Sequence, residues 1–292
     1  MIPNLAILCH NPTMNFIYAD QVPGCPGIQR MRLNTKELYL KLDEYGEFEA
    51  RFAEFLKIDN KPKVIEYSEN ILSYETESVI PTMQDSRPPL LLLLGNPAPD
   101  SVRRRCFFAG EKGKEEHRFW PILAKAGIVS FKNFSEEVNT ARTRALFGLD
   151  YESPFRIGLA VFYSMPSPAS APKWSGVAGL RKLFRAEALR KIAEWERKRV
   201  DGLIDEFVAV NPDGAVIAFQ KDAYMGVKDN KSQESVVARK EERFAVEARC
   251  SSSGVRLFRM PPTRYMNASW YMSFMQNVGE LNKRQTKRFI SP

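Results

Sequence analysis

Short apolar runs alternate with longer amphipathic segments through the second two-thirds of the chain. Residues 90–94 are an uninterrupted run of leucines between prolines and Gly95, which favours a strand buried on both faces of a parallel sheet over a segment of core helix. Similar runs at 157–163, 215–219 and 255–260 predict three more strands. Helical spacing predicts helices over residues 118–126, 135–147, 177–210, 221–226 and 233–248.

The first 85 residues follow a different pattern. Apolar positions among many charges predict a helix over residues 38–56, and the loose alternation of 64–79 is compatible with either a strand or a loop. Pro88-Pro89 interrupts the chain just before the leucine run. We therefore expect an N-terminal extension of uncertain fold over residues 1–85 and one domain over residues 86–292.

The alternation of strands and helices after residue 85 predicts a fold class. Strands that alternate with helices form three-layer α/β/α domains with a mainly parallel central sheet. In such sheets ligands bind beyond the carboxyl ends of the strands. Three predicted loops with unusual chemistry leave those ends, at residues 95–110, 164–174 and 261–270. We expect these loops to meet at one site.

Composition and charge narrow the class of partner. The 292 residues are 44% hydrophobic and carry a formal net charge of +8, which favours an anionic partner such as a nucleic acid. No apolar run approaches the roughly 20 residues of a membrane span, and no basic start precedes an apolar run at the N-terminus. We expect a cytoplasmic protein near the nucleoid, or a nuclear one in a eukaryote, without a membrane partner.

The cysteines do not suggest a metal site or a disulfide framework. A structural zinc site needs close cysteine pairs, because two ligands must reach one small ion from a single turn. The chain has no CxxC pair, and we expect reduced thiols and no metal or other cofactor. The four widely separated cysteines are Cys9, Cys25, Cys106 and Cys250.

Asn96 and the paired aromatic Phe107-Phe108 follow the leucine run. Asn96 precedes Pro97, so it could form a plain Asx-type turn, or its carboxamide could orient a water molecule. Phe107 and Phe108 are compatible with core packing, but one of the two rings could instead stack on a base, since every base has an apolar face.

Basic residues lie between the asparagine and the aromatic pair. Arg103, Arg104 and Arg105 could be a solvated surface run or could contact phosphates. The histidines, His10 and His117, have no partner at catalytic spacing, and the chain contains neither a GxGxxG motif nor a phosphate-binding loop with a glycine-rich lysine pattern.

Together these segments resemble the uracil-DNA glycosylase superfamily, and most closely its mismatch-specific uracil/thymine branch. That branch carries Gly-x-Asn-Pro-Gly after a buried strand, and Gly95-Asn96-Pro97 is similar with one residue fewer. Phe108-Ala109 and Arg118-Phe119-Trp120 resemble the family segments that follow. Gly158-Leu159, leading into a proline-rich loop, and a looser match that ends at Pro261-Pro262-Thr263 complete the series in the family order.

The resemblance implies a monofunctional glycosylase that flips a damaged or mismatched pyrimidine out of double-stranded DNA and hydrolyses its N-glycosidic bond. Asn96 would position the attacking water. Phe108, or Phe107 in an alternative register, would stack on the base, and Thr263 would stand in for the family's serine.

The same resemblance implies how the duplex is held. Arg103, Arg104 and Arg105 would contact the phosphate backbone of the DNA. Arg264 would contact DNA, and Tyr265 or Met266 would fill the gap left by the base. We expect a monomer. A non-catalytic protein that binds nucleic acid or a partner protein with the same fold is the alternative, and an unrelated α/β enzyme of small-molecule metabolism is a third possibility.

Overall fold

The structure is a computed structural model that describes residues 16–39, 41–57, 64–109, 117–132, 138–167, 173–240 and 243–263, with a few further positions up to 276. Its described part contains two sheets, one antiparallel and one mostly parallel. Helices flank the second sheet, so the expected mixed α/β class with a mainly parallel central sheet is confirmed.

The N-terminal region forms a four-stranded antiparallel sheet with two helices. The elements are β1 (Ile17–Gln21), β2 (Ile28–Asn34), α1 (Thr35–Leu38), α2 (Leu42–Leu56), β3 (Ile65–Ser68) and β4 (Ile71–Glu77). The strands are ordered β1-β2-β4-β3. The segment over 64–79, which was compatible with a strand or a loop, forms the β3–β4 hairpin, and the helix predicted over 38–56 is α2, which begins only at Leu42.

Six strands form the central sheet. They are β5 (Pro89–Leu94), β6 (Arg156–Val161), β7 (Ala215–Ala218), β8 (Ser235–Lys240), β9 (Arg243–Arg249) and β10 (Arg256–Arg259), in the order β6-β5-β7-β10-β9-β8. The first four in that order are parallel, and β9 and β8 continue the sheet antiparallel to their neighbours. The helices are α3 (Pro99–Arg104), α4 (Phe119–Lys125), α5 (Val138–Gly148), α6 (Gly176–Phe207) and α7 (Lys221–Val227).

The leucine run of β5 is explained by burial on both faces of this sheet. Leu91 and Leu93 belong to the core formed with α6, α7 and the N-terminal sheet. Leu90 and Leu92 belong to the core formed with α4 and α5 on the opposite face. Because successive strand side chains point to opposite faces, a strand between two helical layers needs apolar residues at every position.

The prediction of a helix over residues 233–248 is wrong, because this segment forms the β8–β9 hairpin. Its frequent charged residues are compatible with an amphipathic helix, but Val246 and Ala248 are buried two residues apart, as in a strand. The free edge of β10 supplies main-chain partners to β9, and Arg256 pairs with Glu247 at 2.7 Å across it. Pairing with the rest of the sheet therefore outweighs the local pattern.

The N-terminal region packs against a break in α6. Arg185 has φ 66° and ψ 173°, so the helical hydrogen-bond ladder is interrupted there. The side chains of Tyr39 and Arg51 donate to the main-chain oxygens of Phe184 and Leu183 at 3.0 and 2.9 Å. These bonds satisfy carbonyl groups that the break leaves without helical partners. The division of the chain near residue 85 stays a prediction.

Candidate functional site

The carboxyl ends of four parallel strands meet at one edge of the central sheet. The chain leaves β5 toward β6 on one side, whereas it leaves β7 toward β8, which lies beyond β10 and β9 on the other side. Ligand crevices in open α/β sheets form where the connections diverge in this way. The divergence lies between β5 and β7, so a ligand is expected to contact the residues that follow these two strands.

Asn96 lies just past the end of β5 with its carboxamide held in one orientation. Its Nδ2 donates to Ser167 Oγ at 2.8 Å and to the main-chain oxygens of Met165 and Pro97, both at 3.4 Å. Carbonyl oxygens only accept hydrogen bonds, so the amide nitrogen must face them. Within the described part of the chain Oδ1 has no hydrogen-bond donor, and the residue is half-buried. Asn96 therefore presents a fixed acceptor.

Ser167 connects the loop after β6 to the loop after β5. Its side chain is buried, and its hydroxyl donates to the main-chain oxygen of Gly176 at 3.2 Å. Its main-chain N–H donates to Pro97 O at 3.2 Å. Two of the three loops that the sequence predicted to converge, 95–110 and 164–174, thus meet at Asn96 and Ser167. Sequence reasoning did not single out Ser167 as a site residue.

A buried polar network holds the end of β6 beneath this contact. Glu196 of α6 accepts hydrogen bonds from the main-chain N–H and the hydroxyl of Ser164 and pairs with Arg199 at 2.7 Å. Arg199 also donates to Phe162 O at 3.0 Å. The hydroxyl of Tyr74 lies 3.0 Å from Ser164 Oγ, and burial raises the pKa of this tyrosine. The network fixes the backbone from which the Ser167 loop departs.

Gln220 follows β7 and lies directly beside the first glycine of the motif. A Cβ atom added to Gly95 would lie 2.0 Å from Gln220 Oε1. Gln220 is the N-cap residue of α7 but makes no capping hydrogen bond with its side chain. Sequence reasoning missed this residue, because the pairing of β5 with β7 that brings it to Gly95 is not readable from local pattern.

The two phenylalanines differ in exposure. Phe107 is 4% exposed and belongs to the core on the α4–α5 face. Phe108 is half-buried and has φ 51°, and its ring stacks on Phe119 with centroids 3.9 Å apart. The ring of His117 lies 5.0 Å away. Phe108 is therefore the more exposed of the two rings and the better candidate for contact with a ligand.

The basic and polar candidates follow strands β5 and β10 along the chain. Arg103, Arg104 and Arg105 are exposed at the end of α3, and Arg103 pairs with Asp100 at 2.8 Å. Thr263 is half-buried and follows β10. Within the described residues neither Phe108 nor Thr263 makes a hydrogen bond or ring contact with Asn96. The predicted DNA-contact residues Arg264, Tyr265 and Met266 lie outside the described residues.

The described residues contain no group of three or more His, Cys, Asp or Glu side chains that could hold a metal ion. Of the helices in the described ranges, none is both long and apolar enough to cross a bilayer.

Comparison with protein-family models finds no match, and comparison with curated protein sequences finds none either. The fold and the site therefore define the class of this protein as mixed α/β, with the oriented carboxamide of Asn96 just past the carboxyl end of β5.

Proposed function

We propose that the protein is a DNA glycosylase that flips a nucleotide out of the duplex and hydrolyses the N-glycosidic bond of uracil or a related damaged or mismatched pyrimidine. The observation that carries this proposal is the state of Asn96. Its amide nitrogen is anchored by Ser167 and two main-chain oxygens, and among the described residues its Oδ1 has no hydrogen-bond donor at the end of β5, where the sheet connections diverge.

An anchored amide of this kind suits the orientation of a water molecule. Oδ1 accepts one water proton in a hydrogen bond, which directs a lone pair of the water toward the anomeric carbon. An amide is a poor base, so the C–N bond must break largely before the water adds. The bonding electron pair leaves with the base nitrogen, the water oxygen bonds to the sugar carbon, and one water proton is released. The products are a free base and an abasic sugar.

The remaining parts of the proposal concern DNA binding. The net charge of +8 and the exposed Arg103, Arg104 and Arg105 suit contact with phosphates. Phe108 is the half-buried ring of the aromatic pair and is proposed to stack on an extruded base, and Thr263 is proposed to contact that base. Arg264 and the Tyr265-Met266 pair are proposed to contact the duplex and fill the vacated space, with the protein acting as a monomer.

Binding without catalysis is the second candidate, and the exposed arginines favour it independently of Asn96. Charge alone supports sequence-independent association with DNA, whose affinity falls steeply with salt. The two candidates differ only in whether a base is released.

The test is base release by the wild-type protein from labelled duplexes that contain uracil opposite guanine, uracil opposite adenine or thymine opposite guanine. Hot alkali converts each abasic product into a strand break. Breaks at the modified position support the glycosylase proposal. Absence of breaks across these duplexes and a wider panel of lesions overturns it, and salt-dependent binding in the same samples then favours the second candidate.

A further inference from the structure

We infer that the N-terminal sheet is part of the candidate site, because Tyr74 of β4 is a positioning residue that acts on Asn96 through Ser164. The inference rests on the proposed function, and it gives a role to a region that the resemblance to the glycosylase superfamily does not cover. Asn96 keeps the proposed catalytic role, and Tyr74 acts on the loop that orients it.

Tyr74 extends from the N-terminal sheet to the end of a strand in the central sheet. It lies within β4, between Met31 of β2 and Ile65 of β3. Side chains alternate between the two faces of a strand, and Leu72 and Tyr74 lie on the buried face of β4. The ring of Tyr74 therefore belongs to the core that this sheet shares with α6, and its hydroxyl lies 3.0 Å from Ser164 Oγ.

The direction of the bond between Tyr74 and Ser164 follows from the neighbouring Glu196. The Ser164 hydroxyl donates its only proton to a carboxylate oxygen of Glu196, which can only accept. The Tyr74 phenol must therefore donate to Ser164 Oγ. All three residues are buried, so bulk water does not replace the phenol when it is removed.

Ser164 begins the short segment that orients the Asn96 amide. Asn96 Nδ2 donates to Ser167 Oγ at 2.8 Å and to Met165 O at 3.4 Å, so two of its acceptors lie within three residues of Ser164. Ser167 N in turn donates to Pro97 O at 3.2 Å. A shift of the backbone at Ser164 therefore turns the Asn96 carboxamide. Catalytic rates are sensitive to such shifts, since a misplacement of about 1 Å can cost about 10²-fold.

Helix α2 of the N-terminal region supports the chain on the other side of Ser167. The buried ring of Trp174 lies edge-on to the ring of Phe55 in α2, with centroids 5.7 Å apart. Two residues after Trp174, Gly176 O accepts the hydrogen bond from the Ser167 hydroxyl. The N-terminal region thus contacts the chain before and after Ser167, the residue that anchors Asn96.

The experiment measures single-turnover release of uracil opposite guanine, at saturating protein and well below the melting temperature of each variant. Tyr74→Phe removes only the phenolic oxygen. It should slow release about 3- to 10-fold, the factor expected if the loss of one hydrogen bond is expressed in the rate. DNA affinity should be unchanged, because the substitution leaves the proposed phosphate contacts intact.

Tyr67→Phe is the matched control. It removes a phenol from β3 of the same sheet, and the hydrogen bonds that this phenol makes in the described part of the chain go to Thr35, Tyr45 and Glu49 of the N-terminal region. The control should leave the rate within about twofold of the wild type. Ser164→Ala breaks the Tyr74 bond from its other end and should slow release as Tyr74→Phe does. It replaces Tyr74→Phe if that variant melts below the assay temperature.

A double-mutant cycle separates positioning from a general loss of structure. Residues that act as a unit have non-additive effects on rate. In the Asn96→Ala background, Tyr74→Phe should therefore change the remaining rate by less than about twofold. A purely structural role of Tyr74 would slow release by the same factor in both backgrounds.

Three results overturn the inference while the glycosylase proposal stands. One is release at the wild-type rate by Tyr74→Phe, and another is slowing by the same factor in the wild-type and Asn96→Ala backgrounds. The third is equal slowing by Tyr67→Phe and Tyr74→Phe. A wild type that releases no base from any duplex overturns the proposed function and the inference with it.

Discussion

Asn96 Nδ2 lies 2.8 Å from Ser167 Oγ, and this bond joins residues 71 positions apart in the chain. The Ser167 hydroxyl uses its proton on Gly176 O, so it can only accept from Asn96. The amide orientation on which the proposed water positioning depends is thus set by a residue in the loop after the neighbouring strand β6.

Ser167→Ala should therefore impair catalysis more than folding. It removes the best acceptor of the Asn96 amide, and we expect uracil release to slow about 10-fold while DNA affinity is unchanged. The free energy of unfolding should fall by about 1–2 kcal/mol, the cost of one buried hydroxyl and its bonds. Single-turnover kinetics and urea unfolding measure the two effects. Ser130→Ala, which removes a long bond to Glu152, is the control. An unchanged rate in a less stable variant would refute the positioning role.

Arg199→Met should destabilise the protein strongly. The substitution leaves the fully buried Glu196 carboxylate without its cation, which costs about 3–5 kcal/mol in the free energy of unfolding. Arg190→Ala removes an exposed pair with Glu194 and should change stability by less than about 1 kcal/mol. Urea denaturation compares the two variants. An equal decrease in the free energy of unfolding in the two variants would show that the buried network around Ser164 does not stabilise the carboxyl end of β6.

Gly226→Ala and Gly202→Ala should have opposite effects on stability. Both glycines lie in helices, where alanine is intrinsically better by about 1 kcal/mol. A Cβ at position 226 would lie 2.2 Å from the ring of Phe162, whereas none of the neighbouring atoms lies within 4 Å at position 202. We expect Gly226→Ala to lose about 1–3 kcal/mol through overpacking and Gly202→Ala to gain up to about 1 kcal/mol. Thermal unfolding of both variants and the wild type measures these changes. Stabilisation by both substitutions would contradict the packing of Phe162 on α7.

Because of Glu77, the free energy of unfolding should decrease as the pH rises above the ordinary pKa of a glutamate side chain. Burial raises the pKa of its carboxyl well above the usual value, and its Oε2 has no hydrogen-bond partner among the described residues. Between the unfolded and folded pKa values the native state binds more protons, so the free energy of unfolding decreases with pH. Glu77→Gln stays neutral and should flatten this slope and raise stability at neutral pH. Urea titrations of both proteins across that range test the expectation, and parallel pH profiles would contradict it.

The fold was predictable where burial alone determines structure. The leucines of β5 need apolar surroundings on both faces, and that requirement is visible in the sequence. The β8–β9 hairpin was mispredicted because its pairing partner, the edge of β10, is not visible in a local window. Asn96 could be singled out beside a buried strand, but Ser167 and Gln220 become neighbours of the motif only through the strand order.

The most direct measurement is the single-turnover rate of uracil release by Asn96→Ala compared with the wild type, together with DNA affinity and melting temperature. If Asn96 orients the attacking water, the variant should release uracil at least about 100-fold more slowly, because misplacing a reacting group by about 1 Å costs about 10²-fold in rate. Its affinity and melting temperature should match those of the wild type. A variant that releases uracil at the wild-type rate would contradict the assignment of Asn96 as the catalytic residue.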